Sequence, residues 1–223
     1  MKLRVVPAKP ARPNGVTARN AALDVVHAVV SGLESGDFSP GERLVESELC
    51  LRFGIGRQTA REALQHLSAR GVVDLAPNRG ATIARLSRAD AAQTLEVTEL
   101  LFGLASRSAA RRIADGASAD AILAAVDELD ASVGATGPVA FTAARRHFFA
   151  ALAATAGNAE LSRLLEQVRV HVLRAQFGFV TLRRDHAREL AAIGRVVQAG
   201  NVEQAETMSR EHVRGIREHL TEL

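Results

Sequence analysis

The segment GIGRQTAREALQHLSARG, residues 54–71, predicts a short helix enclosed between glycines. Ala60 and Leu64 follow the spacing of an apolar helix face, while Arg57 and Arg61 lie one turn apart on another face. The flanking glycines favour turns, because glycine readily adopts the left-handed conformation that ends a helix. A helix of this length needs neighbouring elements to bury its apolar side, so its flanks indicate what it does.

Those flanks predict a winged helix-turn-helix. A helix with a buried valine stripe is expected from about residue 17 or 18 to Leu33, and a second helix from about Glu46 to Phe53. After Gly71, the runs VVDL and ATIARL are joined by APNRG, which predicts a two-stranded hairpin with a basic tip. In this motif the third helix enters the major groove of DNA with its first residues towards the bases.

From Ser87 onward the pattern is helical throughout. SRAD, residues 87–90, is close to a capping box, and six helices are predicted near 88–114, 118–133, 138–156, 159–179, 182–199 and 202–221. The predicted fold is mainly α, with an N-terminal winged helix-turn-helix and a C-terminal all-α bundle of six or seven helices. The predicted domains are a flexible basic arm (1–16), a DNA-binding domain (17–86) and an effector-binding and dimerisation domain (87–223).

Charge and composition narrow the class of protein. Residues 1–86 hold 12 Lys and Arg against 8 Asp and Glu, whereas residues 87–223 hold 16 against 17, so the basic excess lies at the N-terminal end, as expected for contact with a polyanion. The single cysteine, Cys50, excludes an internal disulfide and a thiolate metal cluster. No apolar run has the length of a membrane span or a signal peptide. We therefore expect a cytoplasmic protein without a membrane partner.

Residues 20–86 resemble the DNA-binding domain of the GntR family of bacterial transcription regulators. The landmarks are PGERL, REAL at 61–64, the L-x-x-x-G spacing of 67–71 and NRG at 78–80. The family's usual serine–arginine–threonine–proline run is replaced by GRQT, so Gln58 is expected to alter the operator sequence that is read. The resemblance implies DNA contacts by Ser47, Arg57, Gln58, Thr59 and Arg61, with Asn78, Arg79 and Gly80 at the tip of the wing.

Residues 90–220 resemble the FCD domain, the ligand-binding domain of the FadR branch of that family. The landmarks are ASRSAARRIA, FFAALAATAGN and AGNVEQAETMSREH. Many such domains hold a divalent metal through an aspartate, a histidine four residues later and two further histidines 22 residues apart. The matching positions here carry Arg145, Phe149, Leu190 and His212, so we expect no metal and no cofactor. A site rebuilt from His171, His186 and His212 is the alternative.

The same resemblance predicts an altered effector pocket. Thr98 and Phe102 stand where family members often carry an arginine and a glutamate, so the pocket loses charge and gains aromatic surface. A cation at Arg145, within apolar walls, would suit an amphipathic carboxylate. The predicted pocket residues are Thr98, Phe102, Arg145, Phe149, His171, His186, Leu190 and His212.

Together these features predict a ligand-responsive transcription regulator. We expect a repressor that binds a palindromic operator in double-stranded DNA as a homodimer and responds to a small-molecule effector, a carboxylate-bearing metabolite. The sequence has no nucleophile paired with a base, no phosphate-binding glycine loop and no metal set, so we do not expect an enzyme. The alternatives are an architectural DNA-binding protein without an effector and an enzyme built on the helical domain.

Overall fold

The computed structural model of the protein describes residues 18–76, 80–135, 139–168, 170–177 and 183–222. The predicted arm, residues 1–16, lies outside these ranges, as do Asn78 and Arg79 at the predicted wing tip. The described residues are mostly helical, with one small sheet, which confirms the predicted fold class. Among the described helices, none combines the length and the apolar character that crossing a lipid bilayer requires.

The N-terminal part contains three helices and a three-stranded antiparallel sheet of order β1-β3-β2. Its elements in chain order are α1 (Ala18–Ser35), β1 (Arg43–Leu44), α2 (Glu46–Phe53), α3 (Arg57–Ala69), β2 (Val73–Ala76) and β3 (Gly80–Ile83). The apolar stripe of α1 packs against α3, and Ala22, Val26 and Val29 are fully buried there. This is the expected winged helix-turn-helix.

The predicted hairpin is present as the antiparallel pair of β2 and β3, and β1 adds a third strand that was not predicted. Arg43 pairs with Thr82 and Leu44 pairs with Ala81 across the edge of β3. Leu44 is buried in the core while Arg43 is exposed, as expected for alternate side chains of a strand. Two residues are too short to produce a detectable alternation in the sequence, so this strand was missed.

A tight turn sets the angle between α2 and α3. Gly54 follows α2 in the left-handed conformation, with φ 65° and ψ 35°, and its N–H donates to the carbonyl of Cys50. Gly56 then precedes α3 in an extended conformation, and its carbonyl accepts from the N–H of Ala60 at 3.0 Å. A side chain at position 54 would strain this left-handed backbone. Gly54 therefore allows the chain to reverse direction between the two helices.

The C-terminal part is a bundle of seven helices within the described residues. They are α4 (Arg88–Ala114), α5 (Asp120–Val133), α6 (Val139–Ala156), α7 (Ala159–Gln167), α8 (Val170–Phe177), α9 (Arg183–Gln198) and α10 (Val202–Glu222). The large side chains of Phe102, Phe148 and Leu129 are fully enclosed between these helices. They belong to one apolar core that continues from the N-terminal part into the bundle.

The single helix predicted over 159–179 is wrong, because the chain divides it into α7 and α8. Val168 has an extended ψ of 126° and ends α7. Val172 and Leu173 are buried in the bundle, so α8 takes the direction that buries them. The break contains no glycine or proline, and valine only slightly disfavours helix. Tertiary packing, which the local sequence does not show, therefore determines this boundary.

Helices α4 and α10 pack lengthwise through small residues. Ser209 Oγ donates to Ser106 Oγ at 2.6 Å in the buried contact. A Cβ atom added to Gly103 would lie 2.7 Å from Cγ of Arg210, so only glycine permits this approach. Small residues at these positions bring the two backbones close together and make them the central pair of the bundle.

Glu99 of α4 is enclosed by cations from α10. Its side chain is 7% exposed, and the guanidinium groups of Arg210, Arg214 and Arg217 lie 3.4, 2.9 and 3.6 Å from its oxygens. Burial acts to raise the pKa of Glu99, but the hydrogen bonds from Arg214 and Arg210 outweigh it and the pKa is lowered. The carboxylate is therefore ionised at neutral pH and ties the two helices together.

The two parts of the chain are joined at Leu86, immediately before the cap of α4. The side-chain amide of Gln176, on α8, donates to the Leu86 carbonyl at 2.6 Å and accepts from the Leu86 N–H at 2.8 Å. Nearby, Arg70 of the N-terminal part forms an exposed ion pair of 3.1 Å with Glu166 of α7. The connection is therefore short and held by hydrogen bonds rather than loosely tethered.

Ser87→Ala is expected to lower the melting temperature by about 2–4 °C, because loss of the cap lowers the free energy of unfolding by about 1 kcal/mol. The predicted capping box is present: Ser87 Oγ accepts from the Asp90 N–H at 3.1 Å, and Asp90 Oδ2 accepts from the Ser87 N–H at 3.1 Å. Ser108→Ala, within the same helix, is the control and should change the melting temperature by less than half as much. Equal melting temperatures for both variants would show that the box does not stabilise α4.

Candidate nucleic-acid interface and ligand cavity

The first turn of α3 presents polar side chains to solvent. Arg57, Gln58 and Arg61 are exposed and Thr59 is half-buried. The opposite face buries Ala60, Ala63, Leu64 and Leu67 in the core. The apolar face therefore fixes the orientation of the helix, and the predicted DNA-contacting side chains share the side that faces away from the protein.

The start of α3 is also suited to an anion. Gly56 occupies the N-cap position and has no side chain to satisfy the first backbone N–H groups of the helix. These N–H groups and the helix dipole favour a negative charge at this end. Within the described residues, the guanidinium of Arg57 makes no hydrogen bond or ion pair, so it is available to an external partner.

Arg61 differs from Arg57, because a carboxylate holds it. Its Nε lies 2.9 Å from Oε1 and 3.1 Å from Oε2 of Glu46, at the start of α2. The two side chains are 60% and 38% exposed. Exposed ion pairs contribute about 0–1 kcal/mol, so a phosphate can replace Glu46 at little cost. The sequence did not indicate this pair, because no local spacing links Glu46 to Arg61, which lies 15 residues later in the chain.

The wing contributes fewer described residues. Gly80 begins β3 with φ 80°, and Ser47 is exposed on α2, whereas the predicted contacts Asn78 and Arg79 lie outside the described ranges. An added Cβ at Gly80 would lie 3.5 Å from Nη2 of Arg43, which is exposed. Arg43 of β1 therefore provides a cation at the base of the wing, a candidate contact that the sequence reasoning did not select.

A cavity of about 110 Å³ lies within the helical bundle beside α1. Seven of the eight predicted pocket residues line it, and the exception is His171. The predicted residues at the cavity are Thr98, Phe102, Arg145, Phe149, His186, Leu190 and His212. Their role in binding an effector stays a prediction. Residues that the sequence reasoning did not select also line the cavity, and the most consequential of these are Glu34 and Arg174.

The charged wall of the cavity is a cluster around Glu34. Oε1 of Glu34 lies 2.8 Å from Nη2 of Arg145, 3.0 Å from Nδ1 of His171 and 3.8 Å from Nη1 of Arg174. The side chains of Glu34 and Arg145 are only 5% and 13% exposed. The predicted cation at Arg145 therefore faces the cavity, but a carboxylate of the chain itself already contacts it.

The cluster keeps its charges at neutral pH. Burial acts to raise the pKa of Glu34, but the hydrogen bond with His171 and the charges of Arg145 and Arg174 lower it to about 2. Burial lowers the pKa of Arg174 to about 9, which leaves it protonated. Two guanidinium groups thus face one carboxylate, and the cluster carries a net positive charge.

The remaining wall contains phenyl rings and two imidazoles. The ring centroids of Phe102 and Phe149 are 5.1 Å apart, and Arg174 lies over the Phe149 ring at 5.6 Å. His212 Nδ1 lies 2.6 Å from Glu189, and its ring is 5.2 Å from that of His186. Burial, with the charge of His212 second, lowers the pKa of His186 to about 4, so this imidazole is neutral at pH 7.

The donor set of the cavity does not fit the metal that the FCD resemblance implies. The four matching positions bring a guanidinium, a phenyl ring, an isobutyl group and only one imidazole, that of His212, to the cavity. His171 is engaged with Glu34 rather than with His186 and His212. No group of three or more possible metal ligands occurs in the described part of the chain. A cofactor-free site stays a prediction.

One face of α4 exposes large apolar side chains. Val97, Leu100 and Leu104 are 50%, 56% and 42% exposed. Their spacing of three and four residues places them on one side of the helix. They form a continuous apolar stripe, hereafter the α4 stripe, on the surface of the C-terminal part.

Two family models match the chain. The model described as bacterial regulatory proteins, gntR family, matches residues 21–83, and the FCD domain model matches residues 93–215. The second match alone covers more than half of the chain. Both resemblances predicted from the sequence are therefore confirmed.

Curated relatives match less than half of the chain. An HTH-type transcriptional regulator from the TAR-I ttuE-ttuC' intergenic region of Agrobacterium vitis is 30% identical over 93 residues, which are 42% of this chain and 54% of that protein. The HTH-type transcriptional repressor RspR of Escherichia coli strain K12 is 28% identical over 92 residues, 41% of this chain and 37% of that protein. The chain thus matches about half of the first relative and little more than a third of the second.

Solved structures share the fold over nearly the whole chain. McbR/YncC of Escherichia coli superposes with a TM-score of 0.73 at 18% identity, covering 93% of this chain and 99% of that one. A GntR transcriptional regulator structure from Rhodococcus sp. RHA1 gives 0.69 at 21% identity, covering 92% and 98%. With the winged head, the helical bundle and both family matches, the chain belongs to the GntR family of bacterial regulatory proteins and carries an FCD domain.

Proposed function

We propose that the protein is a ligand-responsive transcription regulator that binds double-stranded DNA through α3 and the wing. The observation that carries this proposal is the exposed start of α3, where Arg57, Gln58 and Arg61 face away from a packed core. Arginine contacts guanine with two hydrogen bonds or holds a phosphate, and glutamine pairs with adenine. The uncapped first turn adds backbone donors for a phosphate oxygen.

We also propose that the protein acts as a homodimer. The α4 stripe supports this, because three large apolar side chains on one helix face are stabilised when a second copy covers them. A two-fold dimer presents two copies of α3 to two half-sites about 34 Å apart, which matches a palindromic operator.

Repression is the regulatory outcome that we propose. The relative RspR is named a repressor, and it matches this chain over 92 residues. A dimer seated on an operator excludes other proteins from the DNA that it covers, which is the simplest consequence of tight binding. An effector in the helical bundle changes this occupancy only if it favours one arrangement of the two heads over another.

The proposed effector is a small carboxylate. Arg145 and Arg174 bring two positive charges to the cavity against one carboxylate, so a second anion is electrostatically favoured. The aromatic wall of Phe102 and Phe149 suits a short apolar chain attached to that carboxylate. The volume of about 110 Å³ is smaller than the cavity of about 150 Å³ that holds benzene in another protein, which favours a short-chain ligand.

Two other functions are distinguishable from this one. An architectural DNA-binding protein would bind DNA with no response to any small molecule. An enzyme that works through a nucleophile and a base would need the two groups paired at the cavity, but the Thr98 hydroxyl there donates to the Thr94 carbonyl within α4. The chain's family and its relatives consist of regulators, which favours the proposed function over an enzyme.

Arg57→Ala is expected to weaken binding to the preferred operator by about five- to 150-fold, because one charge-assisted contact of about 1–3 kcal/mol is lost. A duplex enriched by the wild-type protein from a randomised pool serves as the probe, with fluorescence anisotropy as the measurement at several salt concentrations. If Arg57 contacts a phosphate, the slope of the logarithm of the association constant against the logarithm of salt concentration becomes shallower by about one in Arg57→Ala. Arg61→Ala should behave similarly.

Arg111→Ala is the matched control, since Arg111 is exposed at the far end of α4. It should leave operator affinity unchanged within a factor of two. Equal affinities for the wild type, Arg57→Ala and Arg61→Ala at all salt concentrations would show that this face of α3 does not contact DNA.

Leu100→Asp is expected to convert a dimer into a monomer, because it places a charge at the centre of the α4 stripe. Light scattering coupled to size-exclusion chromatography measures the change as a halved mass. The control is Leu123→Asp, an exposed leucine of α5 outside the stripe, which should remain dimeric. A wild-type protein that is monomeric at all concentrations, or a dimer that survives Leu100→Asp, would contradict this assignment of the interface.

Short-chain carboxylates should raise the melting temperature, whereas the matched primary amides should not. A ligand at 100 times its dissociation constant adds about 2.7 kcal/mol to the stability of the folded state. A thermal-shift screen with acetate, propionate, butyrate and their hydroxy and keto derivatives measures this effect at constant ionic strength. Equal shifts with acids and amides would indicate that charge is not recognised, and no shift with any acid would favour the architectural alternative.

A further inference from the structure

Glu34 belongs to the DNA-binding head but contacts the ligand cavity. It lies one residue before the end of α1, and the stripe of α1 that includes Val26 and Leu33 is buried in the head. The Glu34 side chain instead extends into the C-terminal bundle, where it is 5% exposed and lines the cavity. A single helix thus connects the core of the head with the wall of the cavity.

All three cationic or polar partners of Glu34 come from the other part of the chain. Arg145 is on α6, while His171 and Arg174 are on α8, and all three approach the same carboxylate oxygen. The neighbouring contact of Arg146 with Ser31 of α1, at 3.3 Å, is exposed. Among these contacts between α1 and the bundle, the Glu34 cluster is the most enclosed and the most strongly charged.

We propose that Glu34 is a built-in carboxylate that occupies the anion site of the ligand cavity, and that an effector carboxylate displaces it from Arg145 and Arg174. This proposal rests on the proposed function, since it names how the effector site is connected to the DNA-binding head. The site needs no metal, because the two guanidinium groups supply the positive charge.

The exchange is chemically balanced. The arginines always face a carboxylate, either that of Glu34 or that of the ligand, so neither guanidinium is left buried without an anion. The displaced Glu34 carboxylate moves into water and is hydrated there. Displacement of the Glu34 carboxylate by the ligand breaks the enclosed contact of α1 with α6 and α8. Ligand binding and a change in the position of the head are therefore linked.

The net positive charge of the Glu34 cluster also favours the first contact of the ligand carboxylate with the cavity. With two guanidinium groups and one carboxylate, an incoming anion is attracted before Glu34 leaves, and Arg174 is the more weakly engaged of the two at 3.8 Å. The ligand therefore first contacts Arg174, whose guanidinium also lies over the Phe149 ring that lines the cavity. Displacement of Glu34 from Arg145 then completes binding.

The test compares carboxylate binding to the wild-type protein and to Glu34→Gln. Glutamine has the same size but no charge, so it does not compete for the arginines. We expect propionate to bind Glu34→Gln with a dissociation constant at least about tenfold lower, because the wild-type affinity is reduced by the fraction of molecules in which Glu34 occupies the site. Isothermal titration calorimetry on the full chain measures this ratio, with acetate and butyrate as further probes.

Glu166→Gln is the matched control, because it removes another ion pair between the two parts of the chain, that with Arg70. Its propionate affinity should equal that of the wild type. Arg145→Met in the Glu34→Gln background should abolish the tighter propionate binding. That result would assign the tighter binding to the guanidinium of Arg145. Hydrogen exchange should increase in α1 of Glu34→Gln and in propionate-saturated wild type, but not in Glu166→Gln.

The outcomes separate this proposal from the proposed function. If Glu34→Gln binds propionate no more tightly than the wild type, or binds none of the three acids, the built-in carboxylate is overturned, while DNA binding that depends on Arg57 would still stand. If Glu34→Gln binds propionate tightly but neither protein binds DNA, the anion site stands and the regulator is overturned. Support for both requires that operator affinity of Glu34→Gln equals that of ligand-saturated wild type.

Discussion

A carboxylate withdrawn from water must be surrounded by compensating charge, and this requirement joins the two parts of the protein at Glu34. Burial alone would favour its neutral form, but Arg145, Arg174 and His171 more than reverse that effect. The Arg70–Glu166 pair, by contrast, has one side chain 64% exposed and is weak by nature. The Glu34 cluster therefore joins the head to the bundle together with the apolar core that continues through both parts.

The sequence was most informative where glycine and capping residues mark the ends of helices. The limits of α2 and the start of α3 were predicted correctly because Gly54 and Gly56 leave few alternatives, and the capping box at Ser87 located the start of α4. The break at Val168 was not predictable, because it depends on burial of α8 residues by distant helices. Strand β1 was missed because pairing with β3, rather than its own two residues, defines it.

The candidate sites show the same division between local and distant information. The exposed side chains of α3 follow from helical periodicity and a recognisable motif, so the sequence alone selected them. Arg145 was selected by resemblance, but its partner Glu34 is 111 residues away along the chain and no spacing connects them. Single-sequence reasoning identifies a cation more readily than the anion that neutralises it. The charge state of the cavity therefore depends on contacts that form only in the folded chain.

The hydrogen-bonded joint at Leu86 determines what kind of motion the head can make. Because Gln176 forms hydrogen bonds with both backbone groups of this residue, the segment between β3 and α4 is anchored to α8 at one point. Translation away from the bundle is thus restrained, while pivoting about the anchor leaves these two bonds intact. In the proposed dimer, a small tilt of each head would alter the distance between the two copies of α3 relative to the helical pitch of a bound duplex, without local unfolding.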